Sequence, residues 1–335
     1  MSHLIDSYRL ISSKLKKKKF PMRKPNYSEA IDQYAQIMNS FKREGNLMYA
    51  AFCCLSIGRC EQAIKNASSA EASCYIDSGY LMWESELRSY EDDFISFEEN
   101  VTEAINCYLL AIKIYQNYKR FSIMGTLFFE LASILKRLNK YEEAAEYFHK
   151  ASEIMRTESP ITAINALKEA TKCKILECDY KGACDLLDGM VAIATESIQQ
   201  DKRTAQVLAN QVEQHQLQQQ YHSYPLSASS SLSLSLYPYA LIEARVSLIL
   251  LYILQDNFLK SQSHLGKLVN DITEHEGQSS DLTEESIALL NNLLMACERK
   301  ETNGLQAIQR ELWSSLSDVQ NDILQKIWCA NKMLL

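Results

Sequence analysis

Apolar residues recur at helical spacing along this chain, most regularly in residues 127–155. Two apolar faces flank a polar interruption at residues 139–141: Leu131, Ala132 and Leu135 form the first, and Ala144, Phe148 and Ala151 form the second. Small residues let two antiparallel helices cross closely, and a large residue fills the space beside the crossing. This pattern is typical of the tetratricopeptide repeat and predicts a helix pair.

The signature of the second helix recurs at long intervals. The small residues that mark it are separated by 33, 41, 40 and 39 positions: Ala30, Ala63 (followed by Ala67 and Ala70), Ala104, Ala144 and Ala183. A weaker copy contains Ser261, Leu265 and Leu268. We therefore predict an all-α fold, an irregular tetratricopeptide-like α-solenoid. It should be a right-handed superhelix of antiparallel helix pairs, with a repeat of about 33–41 residues.

Residues that break helices are scarce, with 9 glycines and 5 prolines in 335 residues. Proline ends or precedes a helix far more often than it continues one. We predict that all five lie between helices: Pro21, Pro25, Pro160, Pro225 and Pro238.

These patterns divide the chain into four parts. Residues 1–25 form a basic N-terminal arm, 26–196 the first helix pairs, 197–238 a disordered Gln- and Ser-rich insertion, and 239–335 the last helix pairs of the same solenoid. Residues 232–236 alternate Leu and Ser and could pair as a strand with a partner, although a flexible tract is favoured. C-terminal helices are expected at about 240–273, 281–300, 302–314 and 317–333, with Asp281 and Ser317 as N-caps.

The formal net charge of −7 disfavours nucleic acid as the main partner. A basic run at residues 14–19 nevertheless stands out. It could be a nuclear-import signal, a patch for anionic membrane or phosphate, a complement to an acidic face of a partner or of this chain, or a solvated arm. The candidate protein-binding residues are Lys16, Lys17, Lys18, Lys19, Arg23 and Lys24, with Trp313 and Trp328 added because tryptophan anchors interfaces when it is exposed.

Catalytic chemistry has no visible basis in the sequence. There is no Gly-rich phosphate loop, no GxSxG, no HExxH and no paired CxxC. The ten cysteines lack zinc spacing and most occupy positions where small apolar residues pack, which indicates reduced, buried thiols in an intracellular protein without a signal peptide. We predict no enzyme activity, no cofactor and no metal site. The apolar run at residues 246–254 is too short to span a bilayer, so we expect a buried helix and no integral membrane association.

Several short strings resemble the 40-kDa huntingtin-associated protein family. In the N-terminal part they are Ser13-Lys-Leu-Lys-Lys, Arg23-Lys-Pro-Asn26, Tyr49-Ala-Ala-Phe-Cys and Arg59-Cys-Glu-Gln-Ala63. In the C-terminal part they are Gly277-Gln-Ser-Ser, Leu294-Met-Ala, Glu298-Arg-Lys-Glu-Thr302, Glu311-Leu-Trp313 and Gln320-Asn321. Their order and spacing agree over nearly the whole chain, as in an invertebrate orthologue. The insertion occupies the matching place but is Gln- and Ser-rich rather than proline-rich.

The resemblance implies a non-catalytic subunit that forms a stable 1:1 complex with huntingtin, bridges its HEAT-repeat arrays and stabilises it. It also implies a role in endosome and vesicle traffic, an early-endosomal Rab GTPase as a further partner, and a cytoplasmic location extending to early endosomes and the nucleus. A trafficking adaptor similar to the soluble attachment proteins of membrane fusion, binding transiently at membranes, is the alternative. An enzyme would require a cluster of perturbed titratable groups in a deep cleft.

Overall fold

A computed structural model describes residues 2–16, 25–64, 69–92, 94, 98–216, 229–274, 282–301 and 304–332. The described part contains helices and turns but no strand, which confirms the all-α, tetratricopeptide-like solenoid class. The helices are α1 Ser2–Lys16, α2 Tyr27–Arg43, α3 Leu47–Ile64, α4 Ser69–Glu91, α5 Glu99–Asn117, α6 Phe121–Arg137, α7 Tyr141–Met155, α8 Pro160–Leu176, α9 Tyr180–Gln216, α10 Ser229–Leu254, α11 Phe258–Glu274, α12 Glu284–Glu298, α13 Leu305–Leu312 and α14 Asp318–Lys332. A 3-10 turn, Trp313–Ser315, precedes α14.

One short turn joins many of these helices. After α2, α5, α6, α8 and α10, the next helix begins four residues beyond the last helical residue. The middle residue of each turn has a left-handed backbone: Gly45, Lys119, Asn139, Cys178 and Asp256. The following amide donates to a carbonyl five residues earlier, as from Asn46 to Phe41 and from Asn257 to Tyr252. This Schellman-type closure satisfies carbonyls that the helix end leaves free and reverses the chain.

The chain divides into two compact units, residues 1–134 and 135–335, and the division falls within α6. In the first unit, contacts run in opposite order along successive helices. Ser78 of α4 donates to the Ala51 carbonyl of α3, and Gly58 of α3 lies against Cys74 of α4. Asn100 of α5 donates to Glu86 of α4. Consecutive helices in this unit are therefore antiparallel neighbours, as the sequence predicts.

Residues 2–16 are helical. They form α1, which packs on α2 through buried Ile11 and through a hydrogen bond of 2.8 Å between the Ser12 and Tyr34 hydroxyls. The Tyr8 hydroxyl lies 2.9 Å from the Ser56 hydroxyl of α3. The segment predicted as a basic arm, residues 1–25, thus includes a packed helix, and its residues 17–24 lie outside the described residues.

The core of the second unit surrounds α10. Leu248, Ile249, Leu250 and Leu251 have no exposed surface, and α8, α9, α11 and α14 all contact this helix. Residues 246–254 are thus a buried helix segment, as predicted. The stretch Leu236–Leu254 is long and apolar enough to cross a membrane by length and composition alone, but 72% of it is buried within the protein, which fits a core helix.

Both ends of the segment predicted as a disordered insertion are helical. Helix α9 continues through Gln216, and α10 begins at Ser229, so only residues 217–228 of the tract lie outside the described residues. Ser197 and Ile198 are buried, and Tyr237 packs against the core. Pro238 lies inside α10 rather than before it. The high Gln content hides the helical pattern of this segment in the sequence. Regularly spaced apolar residues become evident only after Pro238.

Most of the predicted packing positions are confirmed as buried. They are Ala30, Ala104, Leu131, Ala132, Leu135, Ala144, Phe148, Ala151, Ala183, Ser261, Leu265 and Leu268. Pro25 precedes α2 and Pro160 begins α8, as expected. Pro21 and Pro225 lie outside the described residues.

Two local predictions were wrong: the buried positions around the α3–α4 connection and the N-cap of α12. Ala63 and Ala70 are exposed, because α3 ends at Ile64 and α4 buries a face that contains Ala72, Tyr75 and Gly79 instead. Ala67 lies outside the described residues, as does Asp281. The N-cap of α12 is Thr283, whose side chain accepts from the Ser286 amide. At α14 one half of a capping box is present, since the Ser317 amide donates to Oε1 of Gln320 at 2.9 Å, but the buried Ser317 hydroxyl makes no hydrogen bond and does not cap the helix.

Candidate functional site

An apolar strip lies on the outside of α3. The sequence Tyr49-Ala-Ala-Phe-Cys buries Ala50, Ala51 and Cys53 and turns Tyr49 and Phe52 outward, 38% and 41% exposed. The Tyr49 ring is fixed by stacking on Phe41, with 5.2 Å between ring centroids and an interplanar angle of 22°. Because α3 is apolar on nearly every side, packing within the unit does not cover all of its surface.

Exposed apolar side chains are concentrated in the first unit. Of the eighteen large ones that the described residues expose, eleven belong to residues 1–134: Leu10, Tyr49, Phe52, Ile64, Tyr80, Tyr90, Phe94, Leu110, Tyr118, Phe121 and Ile123. Scattered exposed apolar residues are normal on a protein surface, but aromatic ones are enriched where proteins bind one another. The first unit is therefore the better candidate for a binding surface.

Exposed acidic and aromatic residues flank the connection between α4 and α5. They are Tyr90, Glu91, Asp92 and Phe94 before it, and Glu99 and Glu103 in α5. The Phe94 amide donates to the Ser89 carbonyl at 2.9 Å, and the Tyr90 hydroxyl donates to Oε1 of Glu98 at 3.5 Å. These contacts fix the end of α4 against the start of α5. The Phe94 ring remains 68% exposed.

The second unit contains a narrow groove between α8, α9, α10 and the start of α14. Apolar side chains such as Leu187, Met190 and Val319 line it, and the Lys168–Glu243 ion pair of 2.5 Å stands at its edge. Gln320 holds α14 in place by donating to the Glu243 carbonyl and to the Ser247 hydroxyl, at 3.1 and 3.2 Å.

Charges beside the groove are paired. Burial raises the pKa of Glu169, but hydrogen bonds from Lys136 and Lys172, at 2.5 and 2.6 Å, outweigh it and hold that pKa below its usual value. A carboxylate held ionised between two ammonium groups is a structural ion cluster and a poor general base. The groove therefore offers shape and apolar surface rather than reactive groups.

The structure describes only some of the predicted site residues. Lys16 is exposed at the end of α1 in the first unit, while Lys17, Lys18, Lys19, Arg23 and Lys24 lie outside the described residues. In the second unit, Trp313 is 50% exposed on the 3-10 turn, whereas Trp328 packs against the core. Of the two tryptophans, Trp313 is thus the one that presents its ring to a partner.

The sequence analysis overlooked Tyr49, Phe52, Tyr90 and Phe94. The signal for Phe94 was available, because acidic residues precede and follow it closely in the sequence. No such signal was available for Tyr49 and Phe52, because the buried and exposed faces of α3 carry the same kinds of residue.

Seven of the ten cysteines are buried and pack as small apolar residues. All ten are free, and burial raises the pKa of the Cys53 and Cys54 thiols to about 12 and that of Cys173 to about 11. Such thiols are protonated and poorly nucleophilic at neutral pH. Within the described part of the chain, no three His, Cys, Asp or Glu side chains are grouped as a metal site would require.

Comparison with known proteins assigns the family. The model of the soluble NSF attachment protein family, SNAP, matches residues 11–186, which is more than half of the chain. The chain belongs to the soluble NSF attachment protein family. Members of this type are protein-binding adaptors built from helix pairs, and the arrangement described above is that of such an adaptor.

Individual relatives within this group are more specific. The 40-kDa huntingtin-associated proteins of Rattus norvegicus and Mus musculus are each 28% identical to this SNAP-family chain, over 357 and 349 aligned residues. Both alignments cover 96% of this chain and 90% of the relative, which confirms the resemblance seen in the short strings. The alpha-soluble NSF attachment protein of Vitis vinifera is 26% identical over 139 residues, 42% of this chain and 43% of its own length.

Proposed function

We propose that this adaptor is the stable partner of huntingtin in its own organism. The observation that carries the proposal is the length of the similarity to the huntingtin-associated proteins, which runs through both compact units and covers 90% of the relatives. In this proposal the chain forms a 1:1 complex, bridges the HEAT-repeat arrays of huntingtin and stabilises them.

The exposed side chains support a lasting complex rather than a brief encounter. Tyr49, Phe52 and Phe94 in the first unit and Trp313 in the second are aromatic and at least 38% exposed. Burying large aromatic side chains in an interface yields much of the free energy of binding. A partner that binds the folded state also stabilises it by mass action, so each protein would persist better in the presence of the other.

The same proposal gives the chain a role in endosome and vesicle traffic. It includes an early-endosomal Rab GTPase as a further partner and a cytoplasmic location that extends to early endosomes and the nucleus. These parts rest on the same similarity.

The deciding experiment is expression of the chain alone and together with huntingtin of the same species. We expect low soluble yield alone, and co-elution with huntingtin at equal stoichiometry on gel filtration. A stable monomer that ignores huntingtin would contradict the proposal.

A trafficking adaptor that binds transiently at membranes is the second candidate. The SNAP-family match over residues 11–186 favours it, and the exposed Lys14 and Lys16 at the end of α1 supply positive charge. Flotation with vesicles containing anionic lipid tests it. Binding that is lost on replacing both lysines with glutamine would support this candidate, and no flotation would exclude it.

A further inference from the structure

We propose that Ser12 is a phosphorylation site for a protein kinase that selects basic sequences, and that the added phosphate releases α1 from α2. Such a site goes beyond the proposed function, because it gives the first unit a covalent modification and a conformational response to it. Three features of α1 support it: the few contacts that hold this helix, the hydrogen bond that Ser12 makes, and the charges near Ser12 in the sequence.

Helix α1 is held on the first unit largely by hydroxyl groups. Among the α1 side chains whose burial the structure describes, Ile11 is the one that is buried. The Tyr8 hydroxyl lies 2.9 Å from the Ser56 hydroxyl of α3, and the Ser12 hydroxyl lies 2.8 Å from the Tyr34 hydroxyl of α2. A hydrogen bond between neutral groups adds little net stability, whereas burial of apolar side chains supplies most of it. Helix α1 can therefore leave its place while the remaining helices of the unit stay folded.

Ser12 lies at the contact that a phosphate would break. Its partner Tyr34 is 1% exposed, and burial raises the pKa of this phenol, which therefore stays neutral. The Tyr34 ring also packs 5.4 Å from the Tyr8 ring of α1. A phosphoryl group is far larger than the hydrogen atom between the two hydroxyl oxygens, and it carries a charge of about −1.5 to −2 at pH 7. Because such a charge is costly against a buried neutral ring, phosphorylated Ser12 separates α1 from α2.

The cations that a phosphate on Ser12 can reach belong to α1 itself. Arg9 is three residues before Ser12 and Lys16 is four residues after it, the spacings at which side chains meet on one helix face. Both are exposed, and Arg9 pairs only loosely with Asp6, at 3.8 Å between two largely exposed side chains. The phosphate can pair with these cations once it has turned away from Tyr34. This pairing favours the released helix over the docked one.

The sequence around Ser12 suits a kinase with an acidic substrate cleft. Arg9, Lys14 and Lys16 are exposed near it, and Asp6 is the one acidic residue of α1. Kinases select serines by such charge patterns, and arginine can pair with a carboxylate through two N–H groups at once. A kinase binds its substrate as an extended segment, and a free helix of 15 residues is only marginally stable in water. Released α1 can therefore enter such a cleft.

The reaction is a phosphoryl transfer from ATP. The hydroxyl oxygen of Ser12 forms a bond to the γ-phosphorus, the bond from that phosphorus to the oxygen bridging it to the β-phosphorus breaks, and ADP leaves. The hydroxyl proton passes to the carboxylate base of the kinase. The kinase and ATP supply every reacting group other than the Ser12 hydroxyl, so the chain itself needs no catalytic residue.

The neighbouring Ser13 provides a control within the same helix. Its hydroxyl donates to the Leu10 carbonyl at 2.8 Å, so it bonds within α1 rather than to α2. A phosphate on Ser13 would leave the hydrogen bond between Ser12 and Tyr34 intact. The two serines have nearly the same flanking charges, and a comparison of them therefore isolates the contact with Tyr34.

Incubation of the folded full chain with ATP and the catalytic subunit of cyclic-AMP-dependent protein kinase tests the site. We expect mass spectrometry to find the phosphate on Ser12. Arg9→Gln should slow the reaction by about tenfold or more, since the kinase loses its paired guanidinium group. Tyr34→Phe should speed it by about two- to tenfold, because α1 opens more often without the hydrogen bond while the ring stays in place. An unmodified Ser12, or a rate that Tyr34→Phe leaves unchanged, would overturn the proposal.

Hydrogen exchange followed by mass spectrometry measures the release of α1. After phosphorylation, the amides of α1 should exchange about tenfold faster or more, while those of α4 should not change. Ser12→Asp should reproduce part of this effect, whereas Ser13→Asp should leave the exchange of α1 nearly unchanged. The proposal fails if α1 exchanges equally before and after phosphorylation, or if the two aspartate variants behave alike.

Discussion

Gly79 marks a place where one missing methyl group determines how closely two helices approach. A Cβ atom at this position would lie 2.9 Å from a ring carbon of Tyr108 and 3.1 Å from the Ala104 carbonyl oxygen. Tyr108 cannot move aside easily, since it is fully buried and its hydroxyl donates to Oε1 of Glu130 at 2.7 Å. Burial and the Glu130 carboxylate raise the pKa of Tyr108, which keeps it the donor. Single atoms thus set the spacing of α4 and α5.

Gly79→Ala should therefore destabilise the protein by about 1–3 kcal/mol, because the ring or the helix must shift to admit the methyl group. Urea unfolding followed by circular dichroism measures the change. The control is Gly266→Ala in α11, where a Cβ would meet nothing within 4 Å. That variant should stabilise by about 0.5–1 kcal/mol, as expected of alanine in an open helix position. Equal effects in both variants would show that the contact with Tyr108 is unimportant.

His264 makes the stability of the second unit depend on pH. It is 8% exposed and packs 5.3 Å from the Tyr252 ring. Nδ1 lies 3.5 Å from an Arg245 nitrogen, so it accepts rather than donates. Burial, and then the charge of Arg245, lower the pKa of His264 below 6.5. Lys267 and Lys260 act in the same direction and Asp188 in the opposite one.

The folded protein binds a proton at His264 less readily than the unfolded chain does. His264 therefore leaves the free energy of unfolding unchanged above about pH 6.5, and lowers it as the pH falls from there toward the lowered pKa. His264→Gln should flatten that part of the profile by up to about 1.4 kcal/mol per pH unit. Urea unfolding at pH 7.0 and 5.5 measures it for both proteins. Identical slopes would mean that His264 is protonated without penalty in the folded state.

The three-residue turn is the element that repeats most faithfully in this fold. Five connections share its length, its left-handed middle residue and its closing hydrogen bond, and only Gly45 among those middle residues is glycine. Residues with a Cβ are disfavoured in this conformation by about 1 kcal/mol. Asn139 and Asp256 tolerate this conformation better than other residues with a Cβ, so the strain is concentrated at Lys119 and Cys178, where the packing of the flanking helices keeps the turns in place.

Lys119→Gly should relieve that strain at the turn between α5 and α6. The matched variant Lys119→Ala loses the same charge but keeps the Cβ atom, so the difference between the two isolates the backbone. We expect the glycine variant to be more stable than the alanine variant by about 0.5–1 kcal/mol in urea unfolding. Equal stability would show that Lys119 relaxes out of its φ of 53° at no cost.

At the scale of elements, the sequence supports prediction where polar and apolar faces differ. The helix pairs around Ala144 and Ala183 could be predicted because their exposed faces are polar. Helix α3 could not be placed in phase, since apolar residues occupy both its buried and its exposed sides. The exposed Trp313 could be predicted as a candidate, whereas Tyr49 and Phe52 could not be distinguished from the core residues of α3.

At the scale of the whole molecule, the packing keeps thiols away from solvent in both units. Seven of the ten cysteines are buried, Cys74 and Cys329 are intermediate, and Cys178 is exposed. Burial raises the pKa of Cys74, Cys184 and Cys297 to about 11. The thiols therefore report on how often the helices open.

A chromogenic thiol reagent applied to the native protein should react quickly with one thiol. The substitution Cys178→Ser should abolish this fast phase of the reaction. Cys74 and Cys329 should follow more slowly. The remaining seven thiols should react at the rate of unfolding, and their reaction rates should increase together when urea is added. Several fast thiols in the native protein would show that the helix pairs open independently.

The packing of α14 against α10 has a consequence for the synthesis of the chain. Most helices contact their neighbours in sequence, so they can pack as soon as they leave the ribosome. Helix α10 is an exception, because part of its covering arrives only with Gln320 and the rest of α14, more than sixty residues later. Until then its 19-residue apolar stretch has the length and hydropathy by which nascent membrane segments are selected. Among the described helices, α10 is therefore the one that we expect to need a chaperone during synthesis.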